Sequence, residues 1–159
     1  MKNKFSHLDD SGKLRMVDVS DKAVTKRAAR ARCHISMSKE TLRMILDQEV
    51  PKGDVFSCAK LAGIMAAKKT GELVPLCHPL TLELVDVHFK PDLDSGVLAI
   101  ETEVVVTAKT GAEMEALEAA SQAALAVYDM CKAVDRGMVI SDLMLVEKSG
   151  GKSGPWKRE

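Results

Sequence analysis

Between residues 82 and 107 apolar and polar positions alternate with the period of two that a sheet with one buried face requires. Leu82–Phe89 and Val97–Thr107 are therefore predicted strands, joined by a hairpin turn over Lys90–Gly96. Leu98, Ile100, Thr102, Val104 and Val106 fall on one face of the second strand. An earlier run, RAARARCHISM over Arg27–Met37, alternates in part and ends in β-prone residues, so it is predicted as another strand. Helical spacing takes over beyond it. Ser38 is placed to cap a short helix through Leu42, Ile45 and Leu46, with Glu40 near its positive end. Pro51, Lys52 and Gly53 break that helix. Asp54 can cap a second, in which Val55, Ala59, Ala62 and Ala66 recur until Thr70 and Gly71 stop it. The longest helix is expected from Ala112 to about Val134, with Leu117, Ser121, Ala124, Leu125 and Tyr128 as its buried stripe. Met138–Val146 reads as a last strand.

The order β-α-α-β-β-α-β predicts an α+β fold of the ferredoxin-like kind, a four-stranded antiparallel sheet with helices on one face. The chain divides into a basic, mobile N-terminal arm over 1–26, the ferredoxin-like domain over 27–148, and a flexible Gly-rich tail over 149–159. With 159 residues, 46% of them apolar, a core can be buried without disulfides or a structural metal. The 23 basic residues balance 23 acidic ones and aromatics make up only 3%, which argues against a general nucleic-acid binder. No apolar run approaches the ~18 residues of a membrane span and the polar start is unlike a signal peptide, so a cytoplasmic location is expected. Cys33, Cys58, Cys77 and Cys131 form no C-x-x-C pair, suggest no metal site, and are expected as small buried residues, with Cys77 the exception to watch.

Several positions carry candidate chemistry. Between Lys13 and Arg32 the chain holds seven cations against Asp18 and Asp21, either a solvated arm or one that closes over a phosphate-bearing ligand. Lys52 lies in a tight Pro-Lys-Gly turn before a helix N-terminus, where phosphate would be held, although an exposed loop lysine looks the same. His78, between Cys77 and Pro79, can act as a proton carrier or remain an ordinary loop histidine. Asp129 and Lys132, three residues apart, share one helix surface and form either a working pair or a plain surface ion pair. Glu113, Met114 and Glu115 open the same helix. Gly151-Lys152-Ser153 is not a nucleotide loop, because Val146 stands where that loop needs a glycine and no helix follows, though Lys148 can still reach an anion.

Six blocks occur together: MVDVS at Met16–Ser20, KGDV at Lys52–Val55, PLCHPL at Pro75–Leu80, KTGAEMEAL at Lys109–Leu117, YDMCKAV at Tyr128–Val134 and KSGGKSG at Lys148–Gly154. In order and spacing they closely resemble the MoaC family, the cyclic pyranopterin monophosphate synthases of molybdenum cofactor biosynthesis. The resemblance implies a lyase acting on 3′,8-cyclo-7,8-dihydro-GTP, the product of a radical enzyme working on GTP. It would release cyclic pyranopterin monophosphate and pyrophosphate. Carried over residue by residue, the resemblance makes Leu76, Cys77, His78, Met114 and Glu115 substrate contacts and Asp129 the catalytic residue. Lys52, Lys132, Lys148, Glu113 and Arg27 match further family site residues. It implies no required cofactor and no metal site, although Mg²⁺ can accompany the triphosphate, and it implies a hexamer assembled as a trimer of dimers.

The chemistry suits these residue types. Asp129 and Lys132 are expected as a coupled acid and base, with His78 a further proton carrier and Lys52 beside them. Glu113 or Glu115 would accept hydrogen bonds from the guanidine-like edge, while Lys52, Lys148 and Arg27 would hold the triphosphate. Glu113 and Lys132 are 19 positions apart on one helix, roughly 28 Å along its axis. They cannot share one small ligand within a chain, so a common site requires two subunits. A non-catalytic sensor binding a small molecule between subunits is the competing reading, and a purely structural subunit ranks below it.

Overall fold

A computed structural model describes residues 7–9 and 11–159, so the first six residues of the expected arm lie outside the described residues. The elements are β1 (Thr25–Ser36), α1 (Lys39–Leu46), α2 (Val55–Leu73), β2 (Leu84–Asp92), β3 (Val97–Ala108), α3 (Glu113–Cys131), β4 (Val139–Ser149) and β5 (Trp156–Lys157). The fold is α+β, with one antiparallel sheet in the order β2-β3-β1-β4-β5. Among the described residues no helix is long and apolar enough to cross a membrane.

The expected alternation holds. Leu98, Ile100, Thr102, Val104 and Val106 of β3 are buried, opposite Ala29, Ala31, Cys33 and Ile35 of β1. α3 lies on this face, and two buried groups of the sheet donate to its carbonyls: Thr102 Oγ1 to Ala116 O at 2.8 Å and Cys33 Sγ to Ala120 O at 3.3 Å. Burial alone pushes the Cys33 thiol up to about 12, so the group sits there as a neutral donor. Both helix starts before the middle strands are as expected: Ser38 accepts from Thr41 N and Asp54 from Ser57 N.

Four expectations need correction. The sheet has five strands rather than four, because Trp156–Lys157 returns to pair with Glu147 and Lys148. Gly150, Gly151 and Gly154 take positive φ angles that let the tail fold back, and a two-residue strand leaves no alternation to read. α2 runs on to Leu73 instead of stopping at Gly71. That glycine serves a close approach, since a Cβ there would lie 2.9 Å from Pro79 Cα. The stripe of α3 is also rotated: Ala116, Ala119, Ala120, Ala123, Ala124, Val127 and Cys131 are buried, while Leu125 is exposed. Small residues win the inner face because α2 packs so near. A Cβ added at Gly63 of α2 would meet the Ala119 carbonyl oxygen at 2.8 Å. Finally, Cys58 is exposed on α2, whereas Cys33 and Cys131 are buried as expected.

Gly63 supplies a test of this close packing. By helix propensity alone Gly63→Ala would stabilise by about 1 kcal/mol, yet the contact with a backbone carbonyl should outweigh that gain. The expected result of urea denaturation is a lower midpoint than wild type with an unchanged slope. A raised midpoint would mean that α2 and α3 separate at little cost.

Candidate active site

Helix α3 carries reactive groups at both ends. At its C-terminus the last carbonyls lack partners within the helix and the dipole is negative, so cations are favoured there. Lys52, in the turn between α1 and α2, meets this need: its Nζ donates to Asp129 O at 2.7 Å and to Asp129 Oδ2 at 3.0 Å. Lys132 Nζ lies 2.7 Å from Asp129 Oδ1 on the other side. The bonds from Lys132 and then Lys52 hold the Asp129 carboxyl below its ordinary range, and Asp129 in turn raises Lys132. An ionised carboxylate is therefore gripped between two ammonium groups, all three side chains largely open to solvent. The pair expected at Asp129 and Lys132 is present, with Lys52 completing it.

At the N-terminus of α3 a cavity of about 260 Å³ is lined by Leu76, Cys77, His78, Glu113, Met114 and Glu115, together with Val17, Val19 and Lys22 of the arm. The Pro75–Leu80 turn is held by Pro79 against Gly71 and by Cys77 N donating to Val74 O at 3.0 Å. Gly111 leaves room for the Glu113 carboxylate to fold back over the backbone, where Lys148 Nζ is 3.2 Å from its Oε1. The same ammonium donates to Ser153 Oγ at 3.1 Å. Arg27 donates from Nε to Ala108 O and from Nη2 to Lys109 O, both at 3.1 Å, fixing the end of β3 that leads into α3.

Glu115 is the unusual member. It is only 3% exposed, and burial pushes its carboxyl up to about 7, with the neighbouring charge of Glu113 adding to the rise. Burial also raises the Cys77 thiol, helped by Glu115 and Glu118. A thiol so placed stays protonated and is a poor nucleophile, which favours its packing or backbone role.

Within one chain the expected site residues therefore form two groups. Lys52, Asp129 and Lys132 come together at one end of α3; Leu76, Cys77, His78, Glu113, Met114, Glu115 and Lys148 gather at the other, with Arg27 beside them. His78 is thus separated from the other three residues expected to carry catalysis. Sequence reasoning assigned no individual role to Lys22 or Ser153, although the basic run marked the first and the Gly151-Lys152-Ser153 stretch of the tail marked the second. Another cavity, on the open face of the sheet, includes Arg30, Lys90, Glu101 and Glu103. Two of its ion pairs are closed, Lys90 with Glu101 at 2.6 Å and Arg30 with Glu103 at 3.0 Å, while Glu147 and Lys157 also line it.

Residues 16–151 match the model of the MoaC family. The chain belongs to this family. Similar proteins include one from Pelotomaculum thermopropionicum, 58% identical over 98% of this chain and 91% of its own length. Another, from Heliobacterium modesticaldum, is 55% identical over 98% of both chains. A third, from Chloroflexus aurantiacus, is 55% identical over 98% of this chain and 96% of its own. Each bears the name cyclic pyranopterin monophosphate synthase. The family match takes in both ends of α3 and reaches Gly151 at the start of the tail.

The raised Glu115 carboxyl has a consequence for stability. Its folded value of about 7 lies above the ordinary 4.5, so the folded state holds this proton more tightly than the unfolded chain. Its contribution is present below pH 4.5 and is lost as pH rises toward 7. Glu115→Gln should remove that slope and make the protein more stable than wild type at pH 8, by up to roughly 3 kcal/mol. Unfolding curves at pH 5 and pH 8 that shift equally for wild type and variant would contradict a buried, proton-holding Glu115.

Proposed function

We propose that this chain is a cyclic pyranopterin monophosphate synthase, converting 3′,8-cyclo-7,8-dihydro-GTP to cyclic pyranopterin monophosphate and pyrophosphate. The observation that carries the reading is the division of its reactive groups between the ends of α3. The helix has 19 residues, so its ends stand roughly 28 Å apart, and each end offers groups suited to a different part of such a substrate. The carboxyl groups of Glu113 and Glu115, one ion-paired and one buried and proton-holding, suit the guanidine-like edge. The two ammonium groups around Asp129 suit an anion undergoing proton transfer.

A complete site then forms between subunits, with the Glu113–Glu115 end from one and the Asp129–Lys132 end from its neighbour. We read the assembly as a hexamer, a trimer of dimers, and the strand order β2-β3-β1-β4 as the ferredoxin-like arrangement with β5 added at the edge. Leu61 and Met65, four residues apart and exposed on one face of α2, offer apolar area for such an assembly.

In this site Leu76 and Met114 pack on the ring system, and His78 carries or orients a proton. Cys77 contributes packing or backbone contact. Lys148 and Arg27 bind phosphate oxygens at one subunit, and Lys52 does so from the other. Asp129 is a weak base while both lysines hold it. A phosphate oxygen that engages one ammonium loosens that grip and raises the carboxylate's basicity at the moment of binding. Asp129 can then accept the proton of the sugar-derived hydroxyl as its oxygen attacks the α-phosphorus. The bond from that phosphorus to the bridging oxygen breaks, and the electron pair leaves with pyrophosphate, whose charge the lysines offset. Lys132 returns a proton where the ring rearrangement needs one. No resident cofactor is assigned; Mg²⁺ belongs to the triphosphate as it arrives.

The test is pyrophosphate release and fluorescent pterin formation from freshly made 3′,8-cyclo-7,8-dihydro-GTP. Wild type should give both products, and Asp129→Asn should lose about 10²-fold or more in kcat. Glu113→Ala and Asp129→Ala, each inactive, should regain turnover when unfolded and refolded together. Binding without turnover by wild type would favour the sensor reading, and failure of the mixed variants to recover would count against a shared site.

A further inference from the structure

One side chain ties the turn that follows α3 to the start of α1. Asp135 Oδ2 accepts from Ser38 N at 2.9 Å and from Thr41 Oγ1 at 3.3 Å, while its Oδ1 accepts from Gly137 N at 2.9 Å. We infer that Asp135 is a positioning residue for the Asp129–Lys132–Lys52 cluster: by fastening α1 to the end of α3, it sets where Lys52 meets Asp129. The inference rests on the synthase reading, in which that cluster is catalytic, and adds to it a carboxylate that acts through Lys52.

Asp135 is itself held to α3. Its own N–H and that of Val134 both donate to Cys131 O, at 3.0 and 2.9 Å, and the Tyr128 hydroxyl donates to Arg136 O at 3.2 Å. The chain beyond Lys132 is therefore wound against the last turn of the helix. The Cys131 thiol records the same proximity: burial first, then Asp135, push it up to about 11, while Lys52 opposes the rise. Both charges lie within reach of one buried sulfur.

On the α1 side there is no slack between this tether and Lys52. α1 has only eight residues, too few to persist as an isolated helix, so it depends on what holds it. Leu42 and Ile45 are buried and Ser38 caps the start. Its end runs into bonded turns, with Asp47 N donating to Arg43 O, Glu49 N to Met44 O and Gly53 N to Val50 O, and Val50 is buried. A displacement at Ser38 therefore reaches Lys52, because no loose link lies between them to absorb it. The structure closes as a ring, with Asp135 on Ser38 and Thr41 at one point and Lys52 on Asp129 at the other. Lys132 and Lys52 are the charged groups that act on the Asp129 carboxyl among the described residues.

The tether needs a carboxylate. Both oxygens of Asp135 face backbone N–H groups, and these bonds, that of Ser38 first, hold its carboxyl below the ordinary range. An amide in its place has one acceptor oxygen and must turn its NH₂ toward either Ser38 N or Gly137 N. Two donors then face each other, and one arm of the tether opens.

The experiment uses the full-length protein with isotope-labelled aspartate: the Asp129 carboxyl is titrated by NMR, and kcat/KM for the cyclised triphosphate is measured beside it. Asp135→Asn should keep the wild-type circular dichroism, raise the Asp129 midpoint toward its ordinary value as Lys52 loosens, and lower kcat/KM about 10-fold or more. Thr41→Val, which deletes one bond of the tether and keeps the shape of the side chain, should move the midpoint the same way by less. Asp92→Ala, which removes a comparable carboxylate from the β2–β3 turn, serves as the control with both readouts at the wild-type level. An unchanged Asp129 midpoint in folded Asp135→Asn and Thr41→Val proteins would overturn the inference and leave the synthase reading intact. A raised midpoint in both variants, in a protein whose wild type does not turn over the cyclised triphosphate, would uphold the tether and remove the synthase reading instead.

Discussion

Everything at the two ends of α3 depends on how closely its middle is packed. Ala116, Ala119, Ala120, Ala123 and Ala124 leave no side chain long enough to hold α2 or the sheet at a distance. Gly63 lets the helices approach backbone to backbone, and Thr102 and Cys33 pin the inner face to the sheet by hydrogen bonds. A helix held along one whole side in a close-packed interior does not bend to bring its ends together. The interval between Glu113 and Asp129 is thereby a fixed length, and a site that uses both must be completed by another chain.

The same helix also sorts the charges. Its positive end faces Glu113 and Glu115, and its negative end is met by Lys52 and Lys132, so each cluster is favoured by the peptide dipoles before any ligand arrives. Burial then separates the two glutamates. Glu113 is ion-paired with Lys148, whereas Glu115 is nearly inaccessible and holds its proton up to about pH 7. Two carboxyl groups two positions apart therefore offer a charged acceptor and a group able to donate, the pairing that a ring edge bearing both donors and acceptors needs.

Much of this was legible from the residues alone, for reasons that can be named. β3 could be read because a strand with one buried face writes its period directly into the sequence, and the caps at Ser38 and Asp54 because side-chain oxygens at helix starts do one job. The inner face of α3 was misread because hydrophobicity ranks leucine above alanine, while the distance to α2 ranks them the other way. β5 was invisible because two residues carry no pattern. The family blocks pointed to candidate residues, and the count of positions between Glu113 and Lys132 already set them at opposite ends of one helix. The role of Gly71 was hidden for a similar reason: its partner, Pro79, is close only after the chain has folded.

The proposed division of the site between subunits alters what substrate binding must accomplish. Neither half needs the other in order to fold, since each stands on a helix end already fixed by the core of its own chain. The Asp129 cluster is internally satisfied, carboxylate against two ammonium groups, and so is Glu113 against Lys148. The Asp129 pairs are exposed and the Glu113–Lys148 pair is partly buried, so breaking the former costs little, and an anion that replaces a carboxylate as the partner of a lysine gains nearly what the protein loses. In the reaction we propose, the phosphates release Asp129 to act as a base at one end while Lys148 turns from Glu113 at the other. On that proposal, groups that neutralise one another in the empty protein become catalytic when the substrate's own charges take their places.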